Sequence, residues 1–431
     1  MQSLNKYFNV FPRVVRANSK ETINIEPLYD NVKPSGCAKY KVTHYPVDYP
    51  ATGKGDELED SNIIEPIDGC LQIERYFEGE QEHILLIEEM VDSEVARQVE
   101  FRVYSLEEDL FSRKPYKGDV HMHTYHSDGR ETPAYLTAAC RKIGFDFISI
   151  TDHEKYYPSI EAQEAFEDVD VDIGIYRGEE VHPPDNIVHM VNFGGDFSVN
   201  EIFQQDELTY KKEVSAIEKG FSHIEDETLR RQLASCTWCY EKIREGGGLG
   251  IFCHPFWRIK SGYHVSTKMT ELLYEYQPFD ALEVIGGFHR HQLESNVLQV
   301  ASYNDQRAKG KNFPIVGVSD SHGCESGSLF GWYYTIVFAK NLTLNDLVDS
   351  IKDNYSVAME AVEGERTWAH GDFRLVKYAL FLEREVFPYH DDLCKVEGEL
   401  MHEYIKGDNG AKGELARRKG NVSRLYNMLW A

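Results

Sequence analysis

Apolar and polar positions alternate with a period of two through the first quarter of the chain. Val99-Glu-Phe-Arg-Val-Tyr104 shows this, and so does Thr22-Ile-Asn-Ile-Glu26. Successive side chains of a strand point to opposite faces, so the period predicts strands with one buried face. Extended stretches are expected at Asn9–Val15, Glu21–Pro27, Ala38–Tyr45, Leu71–Tyr76, His83–Glu88 and Val99–Tyr104, separated by turn residues. Short strands at this spacing predict a small antiparallel, sandwich-like all-β domain over residues 1–114. It holds no cluster of potential ligands, so packing or shaping of a substrate pocket is its expected role.

After a polar, proline-containing stretch at 105–117 the pattern changes. From Gly118 short apolar runs alternate with helical segments, the sign of an α/β domain built on a parallel sheet or barrel. Thr132 can cap the first helix, Pro133 suits its first turn and Gly144 ends it. Leu136, Ala139, Cys140 and Ile143 form its buried stripe. Later runs are Phe147–Thr151, Ile173–Glu180, Ile187–Phe193, Leu249–Cys253, Leu282–Ile285, Ile315–Ser319 and Tyr333–Phe338. A mostly helical insertion is expected at about 195–245. This domain is expected to occupy 115–364, followed by a helical extension over 365–431 that serves packing or assembly.

Composition narrows the classes of function. A chain of 431 residues exceeds one ordinary domain. Lys and Arg total 46 against 72 acidic residues, a formal net charge of −26, with no basic run. That disfavours a partner such as long nucleic acid, which demands many phosphate contacts. It admits a small anionic substrate, because bound cations dominate a local field. No apolar run reaches about 18 residues, so no membrane span is expected, and the opening Met-Gln-Ser-Leu-Asn-Lys-Tyr-Phe-Asn does not read as a secretory signal. The scattered Cys37, Cys70, Cys140, Cys236, Cys239, Cys253, Cys324 and Cys394 read as reduced thiols of a cytoplasmic protein. Cys236-Thr-Trp-Cys239 looks like a redox or zinc pair. However, Leu229, Leu233, Cys236, Tyr240 and Ile243 trace one helical stripe, which puts the pair mid-helix with Cys236 inward. A redox pair sits at a helix N-terminus instead.

The chemistry gathers at the ends of the apolar runs. His121 and His123 in Gly118-Asp-Val-His-Met-His123 would share one face of a strand, with Asp128 just beyond. Other runs end at or near His153, Glu180, His189, His254, Asp320 and His322. In βα architectures the carboxyl ends of the strands share one face, where sites form. Six imidazoles and three carboxylates exceed the needs of one tetrahedral ion. Two or three divalent ions fit better, with a carboxylate such as Glu180 shared between them. Imidazole with carboxylate suits Mn, Zn or Fe. Glu179 is the fallback for Glu180, since a slip of one residue reverses the face. His126 and His182 lie near the cluster and could support its ligands from outside the set. His289 and His291 are expected to face solvent.

These motifs closely resemble those of the PHP (polymerase and histidinol phosphatase) superfamily. The matching elements are His121-Met-His-Thr-Tyr-His-Ser-Asp128-Gly129, Thr151-Asp-His153, Gly178-Glu-Glu-Val181, His189, His254-Pro255 and Ser319-Asp-Ser-His322, in the family's order and spacing. The resemblance spans roughly residues 118–340. It implies a distorted (β/α)7-type barrel with a trinuclear site. One ion would take His121, His123, Asp320 and Glu180. A second would take Asp128, His153 and His322, and a third His189 and His254 with a share in Glu180. The activity implied is hydrolysis of a small phosphorylated metabolite or nucleotide by metal-activated water. Asp152 or His322 is the candidate proton donor to the leaving oxygen. Arg258 is the candidate grip on phosphate, with a rim salt bridge as its alternative; Arg130 and Arg177 are weaker candidates. Two other classes stay open: an amidohydrolase-type enzyme cleaving a C–N or C–O bond, and a non-catalytic, metal-stabilised module. The sequence leaves the oligomeric state open.

Overall fold

The computed structural model describes residues 5–35, 38–48, 61–324 and 329–431; Cys37 lies outside them. The chain divides into two compact units. One comprises Met1–Lys114, Lys377–His390 and Gly420–Ala431; the other comprises Pro115–Val376 and Asp391–Lys419.

The first unit holds two sheets. Phe8–Phe11, Ser19–Pro27 and Leu71–Phe77 form an antiparallel three-stranded sheet. Val14–Arg16, Glu94–Leu106, Gln81–Val91, Lys39–Pro46 and Ser61–Ile64 lie side by side in a second. Every second residue of Leu71–Phe77 is buried. Val10, Ile23, Ile25 and Ile73 from one sheet share a core with Val42, Leu85, Phe101 and Val103 from the other. The stretch expected as one strand at Asn9–Val15 is divided between the two sheets. Pro12 sits at the break, where it has no N–H to give a ladder. The buried His44 and His83 belong to this unit: His44 Nε2 lies 3.1 Å from His83 Nδ1, and His83 Nε2 lies 2.8 Å from Ser105 Oγ. Burial, with His44 beside it, pushes His83 down to about 3, so this ring stays neutral.

The tail expected as one helical extension is shared between the units. In the first, Glu385 pairs with Arg13 at 2.5 Å, and the rings of Tyr378 and Phe381 lie 5.0 and 5.2 Å from Tyr104. In the second, Glu397 bonds Arg141.

The second unit is α/β and is built around seven strands. Five lie in the order Gly178–Val181, Met190–Phe193, Leu249–Phe252, Ala281–Gly286 and Ile315–Val318. Lys114–Asp119 and Phe147–Ser149 pair in parallel in another sheet. Two single bridges join the sets: Met122 with Ser321, and His153 with Glu180. The pairings thus close into a ring, and the ring closes at the predicted ligand residues. It is not an all-parallel ring. Met190–Phe193 runs antiparallel to both neighbours, because only a short connection separates it from Gly178–Val181. The stretch Ile173–Glu180 is not one strand: Gly174–Tyr176 and Gly178–Val181 fall in different sheets.

Local signals act as the pattern predicts. Thr132 caps helix Pro133–Lys142 by accepting from Tyr135 N, and Gly144 has φ +96°. The insertion holds helices Val199–Gln205, Glu207–Glu218 and Glu227–Glu245. Cys236 and Cys239 are buried within the last of these, and every cysteine among the described residues is a free thiol. Among the described residues no helix is long and apolar enough to cross a membrane.

Candidate metal centre

Just beyond the strand Lys114–Asp119 the chain carries His121 and His123. Its path there is fixed from beneath. The buried carboxylate of Asp119 accepts from His121 N at 3.1 Å and from Ser319 N at 3.2 Å. Asp320 N donates to His121 O at 2.8 Å, and His123 N to Ser321 O at 2.9 Å. The two segments that end in metal-type ligands are therefore locked to each other by backbone bonds.

Glu180 is the centre of the pocket and has no solvent exposure. Its Oε2 lies 2.6 Å from His153 Nδ1 and 3.5 Å from Nε2 of both His121 and His123. Its Oε1 lies 2.8 Å from His189 Nδ1, 3.4 Å from His182 Nε2 and 3.5 Å from His254 Nε2. Asp320 Oδ1 lies 2.8 Å from His123 Nε2 and 3.3 Å from His121 Nε2. Asp128 Oδ1 lies 3.2 Å from His322 Nε2 and 3.4 Å from His153 Nε2. All nine predicted ligand residues are thus brought into one pocket. Glu180, not Glu179, faces it. Glu179 accepts from Ser198 Oγ, Val199 N, Asn200 Nδ2 and Asn192 Nδ2, which ties its strand to the start of helix Val199–Gln205.

The donor set fits divalent cations. His121 Nε2, His123 Nδ1, His189 Nδ1, His254 Nδ1 and both Glu180 oxygens are buried with no hydrogen-bond partner. Several of these atoms point at one another at close range without hydrogen-bond geometry. Leaving so many buried polar atoms unpaired is costly, and cations would satisfy those of His121, His189 and Glu180 that face one another. Ligand atoms of His123, Asp128, His153 and His322 lie within 4.8 Å of one another, as do those of His121, His123 and Glu180. His123 therefore borders both the Asp320 set and the Asp128 set, where the resemblance assigned it to the first alone.

Electrostatics agree. Burial works to raise Glu180, but His189 and His121 hold it well below the usual carboxylate range. Hydrogen bonds from His153 and His322 lower Asp128. Burial opposes the lowering of Asp320, which His121 and His123 nonetheless depress. All three acids stay ionised at neutral pH.

Two expected roles change. Asp152 is fully buried, and four hydrogen bonds occupy its oxygens: from Thr124 N at 2.9 Å, Thr124 Oγ1 at 2.7 Å, Ser127 N at 3.1 Å and Ser127 Oγ at 2.5 Å. It holds the loop that presents Asp128: three of the four bonds go to Oδ1 and one to Oδ2, so the carboxylate is tied to Thr124 and Ser127. Asp152→Ala is expected to weaken metal binding and activity together, by roughly 10- to 100-fold, the usual cost of losing a group that orients ligands. Metal titration checks this. An acid donor would instead alter the pH profile with metal content intact. Arg258 is also committed: its Nη1 and Nη2 each bond Glu294 at 3.1 Å, so the salt-bridge alternative is the one observed.

His182, expected near the cluster, lies within it, while His264 and Glu283 were missed. His182 stacks on His189 with ring centres 3.9 Å apart, and its Nε2 lies 3.1 Å from His153 Nδ1. The His264 ring lies 5.1 Å from both His189 and Trp257. His182 is two residues from Glu180, which was a usable signal. His264 has none, since a hairpin delivers it. Glu283 reaches His121 Nδ1 at 3.2 Å. It is the one charged side chain in an otherwise apolar run, which could have marked it. His126 is bound to Glu161 at 2.6 Å and to Tyr157 at 3.1 Å, outside the ligand set, and His289 and His291 are exposed.

No protein-family model matches the chain. The DNA polymerase/3'-5' exonuclease PolX of Bacillus subtilis is 39% identical over 57 residues, 13% of this chain and 10% of the polymerase. A two-domain Bacteroides vulgatus protein containing a predicted PHP-like metal-dependent phosphoesterase is 18% identical, with 57% of this chain and 65% of that one covered and a TM-score of 0.39. An amidohydrolase of Chromobacterium violaceum is 18% identical, with 48% and 88% covered and a TM-score of 0.33. The chain thus spans less than two thirds of the length of the first two. The motif series stands in order along the sequence and its ligand-bearing residues are gathered in one pocket, which is the respect in which the chain resembles the PHP superfamily.

Proposed function

We propose that this chain is a metal-dependent hydrolase of a small phosphorylated metabolite or nucleotide, working in the cytoplasm. The observation that carries the reading is Glu180, a buried carboxylate ringed by imidazole nitrogens and flanked by the ionised Asp128 and Asp320. Two or three Mn, Zn or Fe ions held there would activate water as the nucleophile at neutral pH and neutralise charge on phosphoryl oxygens. The chain's own residues set direction and access. His121, His123 and Glu180 side chains are at most 1% exposed, whereas His153, His322 and Asp128 are 28%, 36% and 57% exposed. Substrate therefore enters on the Asp128–His322 side. His322 donates its Nδ1–H to the carbonyl of Asp320 at 2.8 Å, which aims Nε2 at that entrance. Arg130 lies beside it, its Cδ 3.1 Å from where a Cβ on Gly323 would sit, and carries no ion pair among the described residues. It takes over the role first given to Arg258.

A phosphoester is favoured over an amide because Glu180 occupies the shared position and Asp128 belongs to the set. A carboxylated lysine would suit the amidohydrolase reading, but the nearby Lys155 points its ammonium at His126 O. The test is to strip the protein with chelator, reload it with Mn, and screen phosphate monoesters beside amides and lactones. Activity is expected to vanish on stripping and return on loading, with phosphate released. Turnover confined to amides or lactones would overturn the phosphoester reading. If nothing turned over while metal still raised the melting temperature, a non-catalytic module would be indicated.

A further inference from the structure

Strand Ala281–Gly286 is buried along its whole length, and Glu283 is its only ionisable residue. Ala281 faces the inner core, while Leu282, Val284 and Ile285 all face the outer one. Strict alternation would turn Ile285 inward. The register against Ile315–Val318 slips between Glu283 and Ile285, and such a bulge re-aims the side chains around it. Glu283 is thereby the last inward side chain of its strand, and it ends beneath His121.

The contacts of His121 are divided. Its backbone is held by Asp119 and Asp320. Its Nδ1 meets Glu283 Oε2 at 3.2 Å, and its Nε2 faces Asp320 at 3.3 Å and Glu180 at 3.5 Å. With Glu283 as the acceptor at 3.2 Å, His121 would carry its proton on Nδ1 and turn the lone pair of Nε2 to the pocket. The other oxygen of Glu283 is buried and has no hydrogen-bond partner. It lies 3.4 Å from where a Cβ on Gly286 would sit, and that Cβ would strike Val318 O at 2.0 Å. A buried carboxylate with one oxygen unpaired is costly to keep.

Resting on the metal-centre reading above, we infer that Glu283 is a positioning residue. It fixes the tautomer and orientation of His121 and strengthens that imidazole as a ligand. Loss of such an outer carboxylate weakens metal binding roughly 10- to 100-fold.

The test uses the full chain with Glu283→Gln, which keeps the shape and one acceptor without the charge, and Glu283→Leu, which packs without either. Zn affinity is measured by chelator competition, the absorption spectrum is recorded after Co loading, and the melting temperature of stripped protein is taken. Both variants are expected to fold at least as stably as wild type when stripped, to bind Zn more weakly with Leu the worse, and to shift the Co spectrum. Variants with wild-type affinity and an unchanged spectrum would overturn the inference alone. A wild type that binds neither metal would overturn the metal-centre reading and this inference with it.

Discussion

Replacing Glu180 with alanine is expected to abolish hydrolysis and to leave the pocket unable to hold its full complement of metal. Among the described residues no other side chain touches so many of the candidate ligands: its two oxygens lie within 3.5 Å of nitrogens from His121, His123, His153, His182, His189 and His254. Removing it takes away the one anion common to the Asp320 side and the His189–His254 side. The fall in activity should exceed the roughly 100-fold upper range for an outer orienting group. A second readout is stability. Metal at 100 times its dissociation constant stabilises a folded protein by about 2.7 kcal/mol, and that increment should be present in wild type and missing in the variant. Glu179→Gln is the control. Its four buried hydrogen bonds predict a stability loss of about 1–3 kcal/mol with metal binding retained. If Glu180→Ala kept its metal content and the Glu179 variant lost it, the register would be reversed.

Much of this pocket was legible in the sequence because most of the ligands end or follow an apolar run, and a strand has few ways to present its last residues; His189 instead precedes Met190–Phe193, whose antiparallel direction brings its first residues to the same end. Asp320, with φ +49°, and His254, with φ +27°, sit where their strands stop and the backbone turns. What was not legible depends on contacts across sheets. Asp152 looked like a catalytic acid because it adjoins His153, yet only the folded loop shows Thr124 and Ser127 closing on its carboxylate. Arg258 follows the His254-Pro motif, but Glu294, 36 positions away, claims it. Ile173–Glu180 reads as one extended stretch, and only Arg177-Gly178 marks the point where its halves pass to different sheets. The tail is the same problem at larger scale: helical periodicity identifies helices without naming what covers them.

Glu397→Ala should be the most destabilising single change outside the pocket. Arg141 sits at 0% exposure on helix Pro133–Lys142, and Glu397 accepts from its Nε at 2.8 Å. The Arg141 Nη1 bonds Phe145 O and Asp146 Oδ1, both at 3.0 Å, and Glu397 Oε1 also takes Asp172 N. Alanine at 397 leaves a buried guanidinium short of one anion and an amide short of its acceptor. Breaking a buried pair from one side costs about 3–5 kcal/mol. Each kcal/mol lowers the melting temperature of a domain of 150–250 residues by roughly 2–4 °C. Differential scanning calorimetry on wild type and variant checks this, and activity per folded molecule should be unchanged. The double variant Arg141→Met with Glu397→Leu separates charge from contact. Asp146 still accepts from Lys117 N at 3.0 Å, so it is not stranded when Arg141 is removed. Recovery of most of the lost stability in the double variant would show that the single change is costly because it leaves one charge alone in a dry interior. A double variant no better than Glu397→Ala would show that the Arg141–Glu397 bond itself holds the two helices together.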